Sequence, residues 1–574
     1  MNRSNNISLD KLNYDLLYMI FSLSHIESIL ELLEVNKQCK SIALNILKTL
    51  KNINFLNNTL TMTKFYTLAK LFINNINKLD LSNNKINSNR FVVLTETLKT
   101  NISLLELNLS NNNIGNNGAK TLAEALKKNT NLIILQLHTN NINDNGTIVL
   151  SEALIINKSL TKLDLSKNNI GDVGAIAIMD VLKKNTKLKE LYIFLNNISD
   201  VGGKALLGAL KQNSILKTLN LSGNKIGVDG IKEITEVLVT NNTLTELGLS
   251  KNNICSEGVI AIVDAFKQNI TLTKLYLNDI GYYRAITIAI VSSLIKNTTL
   301  TVLDLNSNNI GYSEAIAITE GLKTNTSLTE FNLNDNNIGY QGAISIAEAL
   351  YINTKLKEFN LNNNNIGYQG AIAIMKALIN NTTLTTLDLS KNKIGDNKII
   401  TESFIQNTTL TKLSLALNKI GVVGAKAIAK AFEKNTTLRT LDISWNHINN
   451  DGTKAIAELL INIKLDILNI SMNNIGVEGI KSITKALKVN TTLKTLNIEF
   501  NDIGILGAKA IADAFEINTS LGTIMLGCCN IGDDGTKIIK KALINNKSLT
   551  RLFSNVSINY NETIFFIKHM IDNI

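Results

Sequence analysis

The chain has 574 residues, 58 basic and 47 acidic side chains, a net charge of +11, no proline and four cysteines. No run of 18 apolar residues occurs, which excludes a membrane-spanning helix, and Cys39, Cys255, Cys528 and Cys529 lack disulfide-framework spacing, which fits thiols in a reducing compartment, cytoplasm first and nucleus second. The basic surplus is spread over helix faces such as Lys127-Lys128 and Lys183-Lys184 instead of interleaving with aromatics on one stripe, so nucleic acid is disfavoured as a partner.

In chain order, residues 1–75 come first. Asp10, Lys11 and Asp15 precede a short apolar run, Leu16 to Phe21, which lacks the order of an export signal. A helical N-terminal segment is expected here, closing the exposed apolar end of the first repeat.

Residues 76 to 551 form a repeat array. Leu-x-Leu-x-x-Asn-x-Ile recurs with its Asn at 84, 112, 140, 168, 196, 224 and 252, then at 308, 336, 364 and 392, a 28-residue period. In the unit from Leu163 to Leu191, Leu163 and Leu165 are expected to point inward from a short strand, with Asp164 and Ser166 outward. The amide of Asn168 is expected to satisfy loop backbone groups of its own and the adjoining repeat. Ile170 plugs the turn, Gly171 and Gly174 allow close backbone approach, and Asp172 is the expected N-cap of a helix carrying Ala175, Ile176, Ile178, Val181 and Leu182. The predicted architecture is an α/β solenoid, a horseshoe with parallel strands on its concave face and helices on its convex one, built of about 17 units.

Three irregularities interrupt it. The unit holding Leu275 and Leu277 runs into Asn278-Asp279-Ile280 and reads as two residues short; Asn392 and Asn418 are 26 residues apart; Asn446 and Asn473 are 27 apart. In the latter two, trimmed helix turns are expected to leave the strands undisturbed. Residues 552–574, with Ile564-Phe565-Phe566-Ile567, are suited to a C-terminal cap.

Units such as Leu219 to Leu249 and Leu387 to Ile394 resemble the ribonuclease-inhibitor-like subclass of leucine-rich repeats, and are similar to the repeat regions of NOD-like receptors and of the Ran GTPase-activating protein. The resemblance spans about Leu79 to Leu552 and speaks to fold more than to function. No Gly-x-x-x-x-Gly-Lys-Ser/Thr motif precedes the repeats, as a NOD-like receptor would require. A second resemblance covers residues 12 to 43, whose apolar framework looks like an F-box, with Asn13 where that family has proline and no tryptophan at its usual landmark. It implies docking of a ubiquitin-ligase adaptor subunit through Leu12, Leu16, Leu17, Ile20 and Leu23. The alternative, a cap burying the same leucines, stays open.

The chain carries no residue set for catalysis. His25, His138, His447 and His569 are far apart in the repeat register, and the outward column of Asp80, Asn108, Asp164, Asn220, Asp304, Asn332, Asn360, Asp388 and Asp442 is too thin for a metal or cofactor. Protein-binding candidates are the aromatics that interrupt the polar strand face, Tyr192, Phe194, Tyr276 and Trp445. A second set, Tyr312, Tyr340 and Tyr368, each follows Ile-Gly at one register, with Tyr282 and Tyr283 beside the irregular unit. The expected function is a non-catalytic protein–protein interaction scaffold; the alternatives are a substrate receptor of a cullin-type ubiquitin ligase and a GTPase-activating or NOD-like-receptor-related regulator.

Overall fold

A computed structural model describes residues 52–54, 76–86, 88–280, 297–396, 407–543, 546, 548–549 and 551–553. The chain forms two compact units, Met1–Tyr276 and Leu277–Ile574.

In the first unit, three-residue strands pair in parallel from Asn52–Asn54 and Lys78–Asp80 through Lys162–Asp164 and Glu190–Tyr192 to Lys274–Tyr276. From Lys78 onward each strand lies 28 residues from its neighbour, as in Leu163 opposite Leu191. Between strands run helices such as Asp144–Ile156, Asp172–Lys184 and Asp200–Ala209. Parallel strands need a crossover, and a helix is the shortest way to return while covering the sheet. In Asp172–Lys184, Gly174, Ala175, Ile178, Val181 and Leu182 are buried, the spacing of one helical face, while Ile176 is exposed. Each fully buried leucine contributes about 1.5 to 3 kcal/mol relative to exposure.

The second unit is built on the same plan from Val302–Asp304 to Arg551–Phe553. Both shortened repeats keep their strand pairing: Thr386 sits opposite Lys412, and Thr440 opposite Ile467. The one-residue deletion falls in the turn after the helix Asn449–Asn462, where Ile463 stands in place of a buried asparagine found in the sister repeats.

Three expectations are revised. The unit at 278 is not short: Ile280 occupies the ladder position itself, buried, and its N–H donates to Asn308 Oδ1 at 3.1 Å while Asp279 takes the left-handed turn at φ 52°. Isoleucine has replaced asparagine without loss of register. The strand Asn52–Asn54 also puts the start of the ladder inside residues 1–75, ahead of the boundary expected at 76. Its motif, Ile53-x-Phe55-x-x-Asn58-x-Leu60, hides behind Ile and Phe at the leucine positions.

The third revision concerns Asp172. Gly171 is the N-cap of its helix, and the Asp172 carboxylate instead accepts from the N–H groups of Ser199 and Gly202 at 2.8 and 2.9 Å, capping the helix of the next repeat. Burial alone would raise its pKa, but the Ser199 hydroxyl and these N–H groups hold it below the ordinary carboxylate value. Asp144 and Asp200 do the same for Gly171 and Gly227. Side-chain capping thus runs between repeats, which a scan for local caps does not detect.

Candidate functional site

Among the described residues, the strands end in turns whose backbone groups are taken up internally. The Asn168 side chain donates to Leu137, Leu165 and Ser166 carbonyls at 3.0 to 3.1 Å and accepts from the N–H groups of Asn140 and Ile142 at 2.9 and 3.0 Å. This is the ladder expected from the sequence. A second ladder was not foreseen. At the end of each helix turn, Asn157 accepts from Ser159 and Leu160 N–H groups and donates to the carbonyls of Leu126 and Asn129 one repeat back, at 2.8 to 3.0 Å. Asn185, Asn241, Asn353, Asn381 and Asn518 repeat the pattern. Its signal was the recurrence of Asn three residues before the leucine that leads each strand.

The outward Asp/Asn column has a structural task too. Asp164 and Asp388 each accept the N–H two residues on, at 2.9 and 2.8 Å, and bend the strand into its turn. Burial raises the pKa of Asp304 in that column. Among the described residues, no group of three or more His, Cys, Asp or Glu is placed to hold a metal ion.

On the strand face of the first unit, Tyr192 is half-buried; its hydroxyl donates to Glu190 at 3.1 Å, and Lys162 Nζ lies 4.9 Å from its ring centre and 2.9 Å from the same carboxylate. Burial, and then the Glu190 charge, raise the Tyr192 pKa. Burial opposes the charge on Lys162, yet Glu190 and Tyr192 hold its pKa above the usual value. The aromatic is therefore fixed in place by two charged neighbours. Phe194 comes two residues later on the same side, and Tyr276 lies opposite Gly248 in the pairing of the last two strands. Gly248 is crowded: a Cβ there would stand 2.6 Å from Asn220 Oδ1.

The second tyrosine set is a column of separate exposed phenols. Tyr312, Tyr340 and Tyr368 occupy the position that Asp172 and Asp200 hold in the first unit, and their rings make no stacked pair among the described residues. A tyrosine offers the next helix no carboxylate. The glycine of the next repeat turns accordingly: Gly339 and Gly367 adopt φ +66° and +64° and donate to the carbonyls of Asn364 and Asn392, whereas Gly171 and Gly227 are extended.

Trp445 is exposed at a strand exit with φ +58°. His447 is exposed two residues on, with Asn474 Nδ2 3.2 Å from its Nδ1. At the ladder position of a later repeat stands Cys529, whose thiol faces the Ile498 carbonyl at 3.2 Å; burial pushes its pKa up to about 11. Its neighbour Cys528 is exposed. Alkylation of the native chain, located by peptide mass spectrometry, is expected to label Cys528 and to spare Cys529 until denaturant is added. Equal labelling of both would contradict the burial of the ladder.

The adaptor-facing candidates Leu12, Leu16, Leu17, Ile20 and Leu23 lie outside the described residues, as do Tyr282, Tyr283 and residues 554–574. No helix among the described residues is long and apolar enough to cross a membrane.

Short parallel strands, helical returns and an internal amide ladder define a β/α solenoid of tandem repeats. The family model described as Leucine Rich repeat matches residues 100–123, 157–179, 184–207, 212–234, 240–263, 296–318, 324–347, 353–375, 380–397, 406–429, 434–457, 462–483 and 489–512. With more than half of its residues matched, the chain belongs to the leucine-rich repeat family, which is characteristically non-catalytic. No curated protein matches it. Among solved structures, the chain is similar to a crystal structure of a TLR13–ssRNA13 complex, at 17% identity and a TM-score of 0.49, over 85% of this chain and 71% of that one.

The expectation that nucleic acid is a disfavoured partner is withdrawn, because it was read from contiguous runs of the sequence alone. The physical reason lies in the repeat. A solenoid assembles each surface column from residues 28 apart, so a search for contiguous basic and aromatic runs does not see the surface a ligand meets.

Proposed function

We propose that the chain is a non-catalytic binding scaffold that captures a protein ligand on its strand face. The observation supporting this reading is the division of labour within each repeat. Asn168, Asn157 and Asp164 with their counterparts take up the backbone groups of the turns, so recognition falls to the outward side chains that carry no such task. Among them Tyr192 is pre-positioned by Glu190 and Lys162, which reduces the entropy lost when it is buried by a partner.

A photo-crosslinking phenylalanine analogue placed in the full chain at Tyr192 tests this against the same group at Ile176, which is exposed on the helix face. A discrete protein adduct from position 192, absent from position 176 and unchanged by nuclease treatment, is expected. Equal adducts from both positions would overturn the reading, and a nuclease-sensitive adduct would replace protein by nucleic acid as the ligand.

A further inference from the structure

In the second unit the residue just before each ladder position changes character along the stack. Asp279, Ser307, Asp335, Asn363 and Lys391 occupy it first; then come Leu417, Trp445, Met472, Phe500 and Cys528 in five successive repeats. All ten adopt left-handed backbone, with φ between 51° and 58°. That conformation suits asparagine and strains bulky side chains. Five apolar residues therefore stand where polar ones fold at lower cost. Four of them face solvent, Leu417 at 39% exposed, Trp445 at 46%, Phe500 at 51% and the exposed Cys528, and Met472 between them is half-buried. No core explains them.

The surroundings indicate an occupant. Parallel strands are about 4.8 Å apart, and an α-helix advances about 5.4 Å per turn, so side chains spaced three or four apart on a helix can track the column for about three turns before drifting out of step. At the Leu417 end, Lys391, Lys393 and Lys419 are exposed, and none is in an ion pair among the described residues. At the other end stands the exposed carboxylate of Asp502. The column thus has an apolar ridge, one basic end and one acidic end.

We propose that this column is the docking site for an amphipathic α-helix of a partner protein, its apolar stripe lying along Leu417, Trp445, Met472 and Phe500 and its carboxylates meeting the three lysines. The assignment rests on the scaffold reading and names the chemistry of its ligand. Apolar contact supplies the binding, and the lysines set the direction in which the helix lies.

Trp445 is the single tryptophan of the chain, so its emission reports the site directly. The test selects binders to the full chain from a displayed library of helical peptides about five turns long with one apolar stripe and randomised charges. Selected peptides are expected to carry Asp or Glu towards one end, to shift Trp445 emission to the blue, and to lose at least about tenfold in affinity on Phe500→Asn or Leu417→Asn, as removal of an interface anchor does. Lys391→Glu with Lys419→Glu is expected to weaken the same peptides and to admit basic ones. Asparagine is the native residue at this turn in Asn363, so the Asn variants keep the fold, and unchanged thermal unfolding verifies that. Peptides that depend on Tyr192 and Tyr276 but not on the column would overturn this assignment and leave the scaffold reading standing. Recovery of no peptide by a folded chain would likewise overturn this assignment, while the scaffold reading stands or falls by the crosslinking at position 192.

Discussion

Asn168→Ala is expected to cost about 4 kcal/mol, among the largest losses available to a single substitution in this chain. The change takes the acceptor from the buried N–H groups of Asn140 and Ile142 and leaves the carbonyls of Leu137, Leu165 and Ser166 with only Asn140 Nδ2, Asn196 Nδ2 and the Thr139 N–H as donors. Each unmet group costs about 1 to 3 kcal/mol, and the sum is reduced by local relaxation. Asn168→Asp is expected to do no better, because a carboxylate keeps the acceptor but turns a second oxygen towards the carbonyls. Repeats contact only their neighbours, so hydrogen exchange should locate the loss between about residues 137 and 196 while distant repeats keep their protection. A loss below about 1 kcal/mol would show that the ladder is not what joins one repeat to the next.

Gly202→Ala is expected to destabilise by about 1 to 3 kcal/mol, although alanine ordinarily favours a helix interior over glycine by about 1 kcal/mol. The added Cβ would stand 2.7 Å from Asp172 Oδ1, 2.7 Å from Ile198 Cγ2 and 2.8 Å from Ala175 Cβ. Two of those atoms belong to the preceding helix, so the clash separates repeats and weakens the cap that Asp172 gives to Ser199 and Gly202. Gly208 in the same helix is the control: a Cβ there meets nothing within 4 Å, and Gly208→Ala should gain stability. Urea titrations of the two variants with opposite signs would support the close approach; the same sign would sink it.

The candidate binding face was partly legible in the sequence. Tyr192, Phe194 and Trp445 stand out in a strand pattern otherwise filled by Asp, Asn, Ser and Thr, and Trp445 is exposed at a strand exit. Lys162 was harder to see. It lies 30 residues from Tyr192 in the chain, and only parallel pairing of Asp164 with Tyr192 brings their strands together. The apolar column escaped for the same reason: Leu417, Met472, Phe500 and Cys528 are unremarkable singly and form a surface only when read one per repeat. Trp445 belongs to that column.

The sequence by itself determined the module and its period. Paired leucines at period two, an asparagine at a fixed offset and a helix-length return leave one economical way to bury the apolar side, which is against the next copy of the same unit. It also carried the roles of Asn168 and Ile170, because both act within one turn and its immediate neighbour. Only the tertiary structure decided where Asp172 points, which turns are extended and which left-handed, that Ile280 stands in the ladder, and that a second asparagine ladder ties each helix end to the repeat before it. These depend on contacts about 26 to 31 residues apart, where the position of a backbone donor is set by stacking. Local propensity ranks the residues that can cap or turn; the neighbouring repeat selects which group they bind.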